Sequence, residues 1–271
     1  MNTNEQPQAP ASRASEAKHC YGSAVHILNN PFLLTLLSRV GSAATKGPEV
    51  AELIRTIYTV MLAEVVSREL PVVNASNPTR MFAKTPHGIY RGPTLSRETS
   101  VVIACVIRAG MIPSQTSFEL LAKVLDPDRI RIDALSMARV TDAQGRVTGV
   151  SLAGSKIGGS VDGSILLVPD PMGATGGTVV KALAHYREHY GTPDKVVAIP
   201  MIATPEYVRR VVNEVERSVI YTARLDRGLS PPDVLATIPG ERWSEERGLD
   251  ENQYIVPGAG GIGEVLNHSW C

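Results

Sequence analysis

The sequence predicts an α/β fold with a central, mostly parallel sheet flanked by helices, and three observations carry that expectation. Short apolar runs within Val101–Ile107, Ile165–Val168 and Lys195–Ile202 read as strands buried on both faces. Segments with apolar residues at helical spacing alternate with them, as in a parallel sheet built from strand–helix units. Glycine-rich or charged turns follow two of these strands at their carboxyl ends, where open parallel sheets bind ligands.

Taken in order, Met1–Lys18 is rich in Asn, Gln, Pro, Ala and Ser and holds no hydrophobic stretch of the signal-peptide kind, so residues 1–20 read as a disordered tail and 21–271 as one domain. Pro31–Val40 and Pro48–Leu70 are predicted helices. In the second, Val50, Leu53, Ile54, Ile57, Met61 and Val65 recur at helical spacing, a face suited to core or subunit contact. Alternation around Arg80–Arg91, with the turn Thr85-Pro86-His87-Gly88, suggests a hairpin, and His87 reads as a solvated turn residue. The strand Val101–Ile107 leads into Arg108-Ala109-Gly110, then a helix over Met111–Leu125 and a strand over Ile130–Met137. Arg139–Lys156 is broken by Gly145, Gly149 and Gly154, which fits a long hairpin or a flexible arm. Beyond Ile165–Val168 come a helix at Val179–Tyr190, the strand Lys195–Ile202, a helix at Pro205–Val215 and a strand at Ser218–Ala223. No internal repeat is evident.

The chemistry concentrates in Ser164–Val179, where the apolar strand runs into Asp170 and then a Thr-Gly-Gly-Thr loop. Gly173, Gly176 and Gly177 let the backbone turn tightly against a ligand, Thr175 and Thr178 add hydroxyl donors, and the free N–H groups of the next helix favour an anion. Asp170 is placed to bind ribose hydroxyls or a bound metal ion. A glycine pair alone would be an ordinary turn; the nine-residue string argues for phosphate. It lacks the Gly-Lys-Ser/Thr ending of the NTPase loop, and no Gly-x-Gly opens it. Gly258–Gly263 does match the dinucleotide fingerprint, but only Glu264–Cys271 follow, too few for the rest of a βαβ unit.

Composition excludes some classes. Lys plus Arg equals Asp plus Glu at 27 each, so no net field recruits nucleic acid or an anionic membrane, and no apolar run is long enough for a membrane helix. The 271 residues, 43% hydrophobic, suit one core. Cys20, Cys105 and Cys271 lack metal-ligand spacing and are odd in number, which argues against a disulfide framework and for the cytosol.

The string Asp170-Pro171-Met172-Gly173-Ala174-Thr175-Gly176-Gly177-Thr178 resembles the phosphoribosyl-diphosphate (PRPP) loop of type I phosphoribosyltransferases, in the version of the uracil phosphoribosyltransferases. Tyr254-Ile255-Val256-Pro257-Gly258 resembles that family's C-terminal base-reading signature, and Arg108-Ala109-Gly110 its pyrophosphate turn. The likeness runs from about Pro31 onward. It implies the type I phosphoribosyltransferase fold, with a flexible hood hairpin at about 139–156 and a small C-terminal base-binding subdomain. It also implies the conversion of uracil and PRPP to UMP and pyrophosphate, with Mg2+ carried by PRPP and no side-chain metal ligand. By that likeness Arg108 and Asp170 are the catalytic residues. PRPP is held by Arg108, Arg139, Asp170 and the loop Pro171–Thr178, with Lys156 a further basic match in the hood. Uracil is read by Tyr254, Ile255, Gly260, Gly261 and Ile262. A homodimer or higher homo-oligomer is expected, and some relatives answer to GTP.

The chain also departs from the family pattern. Gly261 stands where the family usually has an aspartate, Glu264 replaces a second acidic residue nearby, and Ser230–Glu251 is an insertion that could be a lid, a subunit contact or neither. Met111-Ile112-Pro113 replaces a more glycine-rich segment, and Gly173 a bulkier apolar residue. Two alternatives therefore stay open: a PRPP-dependent transferase with another acceptor, a modified base or a small hydroxyl or amine compound, and a non-catalytic PRPP or nucleotide sensor.

Overall fold

The computed structural model describes residues 16–141 and 147–268, except the side chains of 139, 141, 147 and 148. Elements follow in chain order as β1 (Val25–Ile27), α1 (Pro31–Val40), α2 (Gly47–Glu69), β2 (Val72–Pro78), β3 (Ile89–Leu95), β4 (Val101–Ile107), α3 (Met111–Leu121), β5 (Ile130–Thr141) and β6 (Val147–Lys156). They continue as β7 (Ile165–Val168), β8 (Met172–Gly173), α4 (Gly177–His189), β9 (Lys195–Ala198), β10 (Ile202–Ala203), α5 (Pro205–Glu214), β11 (Ser218–Thr222), β12 (Arg224–Leu225), α6 (Pro232–Leu235) and α7 (Ile262–Asn267).

The main sheet has seven strands in the order β1-β11-β9-β7-β4-β5-β6, parallel throughout except for β6. Side chains alternate across it. Val101, Ile103, Ile165, Leu167 and Val197 face the layer built on α1, α2 and α3. Val102, Ala104, Leu166, Val168, Val196 and Ala198 face α4 and α5. Both faces are covered, which is why the central strands read as continuous apolar runs rather than as alternation. Asn30 caps α1 by accepting from the Phe32 and Leu33 N–H groups, and Thr204 caps α5 by accepting from Tyr207 N–H.

Several expectations need correction. The hairpin near Arg80–Arg91 is longer and placed differently: β2 pairs with β3, and Arg80–Ala83 is a 3-10 turn at its tip. Strand β2 is exposed at nearly every position, so it carries no burial alternation to betray it. The strand expected at Lys195–Ile202 is two: β9 joins the main sheet, and β10 joins β8 and β12 in a small parallel sheet. The third helix ends at Leu121, four residues short of the expected end. The expected disordered tail over 1–20 is also too long. Residues 1–15 lie outside the described residues, but Glu16 bridges to Leu28 and pairs with His26 and Arg68, and Cys20 N–H donates to Pro239 O at 2.7 Å. An ion pair and main-chain bonds hold this segment, features its polar composition did not reveal.

The Arg139–Lys156 segment is the antiparallel hairpin β5–β6, with Arg139 opposite Val150 and Lys156 opposite Ala134. Lys156 is therefore at the hairpin base. The Arg139 side chain lies outside the described ones.

Candidate active site

Three loops meet at the carboxyl ends of the parallel strands. The first follows β4. The Ile107–Arg108 peptide is cis, Gly110 N–H donates to Val106 O at 2.8 Å, and Met111 N–H donates to Arg108 O at 3.1 Å. A side chain on Gly110 would put its Cβ 2.6 Å from Val106 O and 3.3 Å from Pro169 O. Glycine is required because the turn closes on itself and on the next loop.

That second loop runs from β7 through Asp170 to α4. Gly176 takes φ +74 as the residue before the helix and has no side chain of its own to cap it. Its first N–H groups therefore face the loop, with Gly177 N–H 3.3 Å from Thr175 Oγ1. The other side of the loop is pinned: Thr204 Oγ1 donates to Ala174 O at 2.6 Å, Thr204 N–H to Gly173 O at 3.0 Å, and Ile202 N–H to Pro171 O at 3.1 Å. Gly173 is small because Pro200 and Tyr207 press on it; a Cβ there would meet Pro200 Cβ at 2.8 Å and Tyr207 Cδ2 at 3.1 Å.

Asp170 keeps part of its surface at the mouth, and its charge is felt by the buried Tyr58, Tyr207 and Cys105, whose acids it helps to raise. Burial pushes its acid up to about 6, opposed by a long hydrogen bond, 3.4 Å, from Met172 N–H. Such a carboxylate is largely ionised at neutral pH yet weakly satisfied, and ready to accept from a ligand.

The third loop runs from Tyr254 to α7. Tyr254 is exposed and Ile255 buried; the Val256–Pro257 peptide is cis, and Gly258 and Gly260 have φ +60 and +72. The buried Asp226 carboxylate accepts Gly258 N–H at 2.8 Å and a two-point ion pair from Arg224, at 2.6 and 2.7 Å. Arg224 also donates to Gly258 O at 2.9 Å. Gly263 lies against Ala109 of the first loop; its Cβ position is 3.8 Å from Ala109 N.

The insertion is fixed in place. Fully buried Glu246 accepts from Tyr21 Oη at 2.5 Å, Arg227 at 2.7 Å and Gly240 N–H at 2.9 Å. Burial and this carboxylate drive the Tyr21 phenol far up, so the phenol stays a proton donor. Trp243 donates to Pro205 O at 3.1 Å and stacks edge-on against Tyr21. Downstream, Val256 N–H donates to Gly248 O at 2.8 Å, so the end of the insertion braces the third loop.

The structure thus brings Arg108, Asp170, Pro171–Thr178, Tyr254, Ile255 and Gly260–Ile262 to one end of the sheet. Sequence reasoning missed Arg210, whose guanidinium lies 3.1 Å from the Cβ position of Gly177; helix periodicity alone gave no signal for it. Tyr207, with its hydroxyl buried and lacking a hydrogen-bond partner, was missed for the same reason. Among the described residues no group of three or more His, Cys, Asp or Glu could hold a metal ion, and no helix is long and apolar enough to cross a membrane.

An acidic residue and a glycine loop at a helix N-terminus, with an arginine turn alongside at the carboxyl ends of a parallel sheet, define a class of α/β protein with a site that can take an anionic ligand. The sequence model for uracil phosphoribosyltransferase matches residues 27–240. The chain belongs to the uracil phosphoribosyltransferase family, with the type I phosphoribosyltransferase fold. The uracil phosphoribosyltransferase of Dictyoglomus turgidum is 24% identical over 242 residues, covering 89% of this chain and 98% of that one. That of Kocuria rhizophila is 29% identical over 245 residues, covering 89% and 97%. The AQ2163 protein from Aquifex aeolicus superimposes with a TM-score of 0.68 at 20% identity, over 90% of this chain and 97% of that one, a likeness of fold. The third loop lies beyond the residues that the family model matches.

Proposed function

We propose that the protein transfers the phosphoribosyl group of PRPP to N1 of uracil, giving UMP and pyrophosphate. One observation carries the reading: the Arg108 turn lies between the other two loops, with Gly110 against Pro169 on one side and Ala109 against Gly263 on the other. PRPP has the same order of groups, with its 5′-phosphate at one end of the ribose, the diphosphate on C1, and the incoming base beyond it.

In this reading Thr175–Thr178 and the open N–H groups of α4 hold the 5′-phosphate. Arg108 holds the diphosphate with a planar, permanently charged fork, and Asp170 accepts from the ribose hydroxyls. Tyr254 and the backbone of Ile255 and Gly260–Ile262 meet the uracil edge. As the C1–O bond breaks, its electron pair leaves with the diphosphate and C1 becomes cationic; uracil N1 supplies the pair for the new bond and releases its proton to solvent. The protein's work is alignment and charge stabilisation. Asp170, with one long hydrogen bond, is an oxygen donor of the kind a hard cation accepts, which fits Mg2+ arriving with PRPP. When bound, Mg2+ neutralises the diphosphate.

A second reading keeps the PRPP site and changes the acceptor. It is favoured by the bracing of the third loop by Gly248, which ties the insertion to the acceptor side. Product analysis with PRPP, Mg2+ and either uracil or a panel of bases, amines and alcohols separates the two. UMP as the dominant product supports the first reading; turnover with another acceptor and none with uracil supports the second.

Self-association belongs to the same proposal. Hairpin β2–β3 and its turn expose Val72, Val73, Met81, Phe82 and Tyr90, apolar surface that a second copy would cover. Light scattering after gel filtration should give at least twice the 29.1 kDa chain mass, and a Phe82→Asp variant should lower it. The cytosolic location expected from the scattered cysteines is part of the same reading.

A further inference from the structure

Gly261 lacks a side chain, and the space is taken. A Cβ built there would sit 2.9 Å from the carboxyl carbon of Glu264 and closer still to its Oε2. Glu264 lies on the first turn of α7, where side chains lean back toward the helix start. That position would let it cap the N–H of residue 261. No such bond forms: the carboxylate has no hydrogen bond or ion pair among the described residues, and Glu264 is half-buried. Its turn of helix abuts the diphosphate loop, since the Cβ position of Gly263 is 3.7 Å from Ala109 Cβ.

From this geometry, and resting on the phosphoribosyl-transfer reading above, we propose that Glu264 is a substrate-facing carboxylate, folded back over Gly261 to meet the ribose at its C1 end. The ribose is the part of PRPP that must lie between the Arg108 turn and the base loop. It offers two things a carboxylate takes up: a hydroxyl that donates, and positive charge that grows on C1 as the diphosphate departs. A side chain at 261 would push the end of the flexible Glu264 side chain out of this position. The acid at this edge of the site is carried by Glu264, one helical turn after Gly261.

The test compares four proteins: wild type, Glu264→Gln, Gly261→Ala and the relocation variant Gly261→Asp with Glu264→Gly. Pyrophosphate release and PRPP affinity by calorimetry are measured for each, with melting temperature as the fold check. We expect Glu264→Gln to keep its fold and lose about 10- to 100-fold in turnover, or ~1.4–2.7 kcal/mol of barrier. Gly261→Ala should lose as much although Glu264 is still present, and relocation should recover most of the loss. Turnover within twofold of wild type for Glu264→Gln, or for Gly261→Ala, overturns the proposal. Should wild type bind PRPP and turn over no acceptor, the uracil reading fails, while Glu264 remains measurable in affinity. There, binding at least fivefold weaker for Glu264→Gln supports it, and unchanged binding overturns it.

Discussion

The Asp226 carboxylate holds the Gly258 N–H at 2.8 Å, and so hangs the base-side loop from the segment that follows strand β12. Arg224 closes the joint by gripping Asp226 at two points and the Gly258 carbonyl at once. Both carboxylate oxygens are used and the group is buried, so its removal leaves a half-buried guanidinium and a buried N–H without their partner. Asp226→Ala should destabilise the fold by about 3 kcal/mol, read as a lower urea midpoint. At temperatures where the variant stays folded, KM for the acceptor should rise more than KM for PRPP.

Asp170 presents the opposite case, a charge the fold tolerates poorly. Its acid titrates near 6 in the folded chain against an ordinary 3.8. Burial of the ionised form therefore costs stability as pH rises through that interval, and costs nothing below it, where folded and unfolded chains both hold the proton. Asp170→Asn should be more stable than wild type at about pH 7.5, by up to ~3 kcal/mol, with the gain fading toward about pH 4. The same variant should lose turnover. Thermal melts across pH check the sign: a variant less stable than wild type at neutral pH contradicts the burial argument.

Arg108 stands at the turn whose backbone is locked by Gly110 against Val106 and Pro169. Its role depends on a planar fork, which lysine does not reproduce. Both Arg108→Ala and Arg108→Lys should lower kcat/KM for PRPP by about 100-fold, or ~2.7 kcal/mol. Recovery of most of the activity by the lysine variant would reduce the site to a simple positive charge.

Glu246 tests whether the insertion is a fixed part of the domain. Three donors converge on its buried carboxylate, from the N-terminal segment, Arg227 and the insertion's own backbone. Glu246→Ala should cost about 3–5 kcal/mol and speed proteolysis between 230 and 251. Glu246→Gln, which keeps one acceptor oxygen, should cost less.

Much of this architecture was legible in the sequence because its signals are local. Strands Val101–Ile107 and Ile165–Val168 and helix Pro31–Val40 match their predicted bounds, since burial on both faces and an Asn–Pro start leave plain marks. The glycine loop before α4 announced itself through residues that only a tight turn needs. What the sequence hid depends on tertiary contact. Strand β2 lacks an apolar face, β10 is two residues long and is defined by β8 and β12, and the ordering of Glu16 rests on Arg68, distant in the chain. At the site, the glycine at 261 read as a missing acid. The structure shows a neighbouring acid, Glu264, occupying its space, a relation that helix geometry creates and residue identity alone does not display.

The most direct measurement is pyrophosphate release from purified protein given PRPP and Mg2+, with and without uracil, alongside Asp170→Asn. We expect release that requires uracil, yields UMP in equal amount and disappears in the variant. PRPP binding with no uracil-dependent release, or release that Asp170→Asn leaves intact, would contradict phosphoribosyl transfer to uracil at this site.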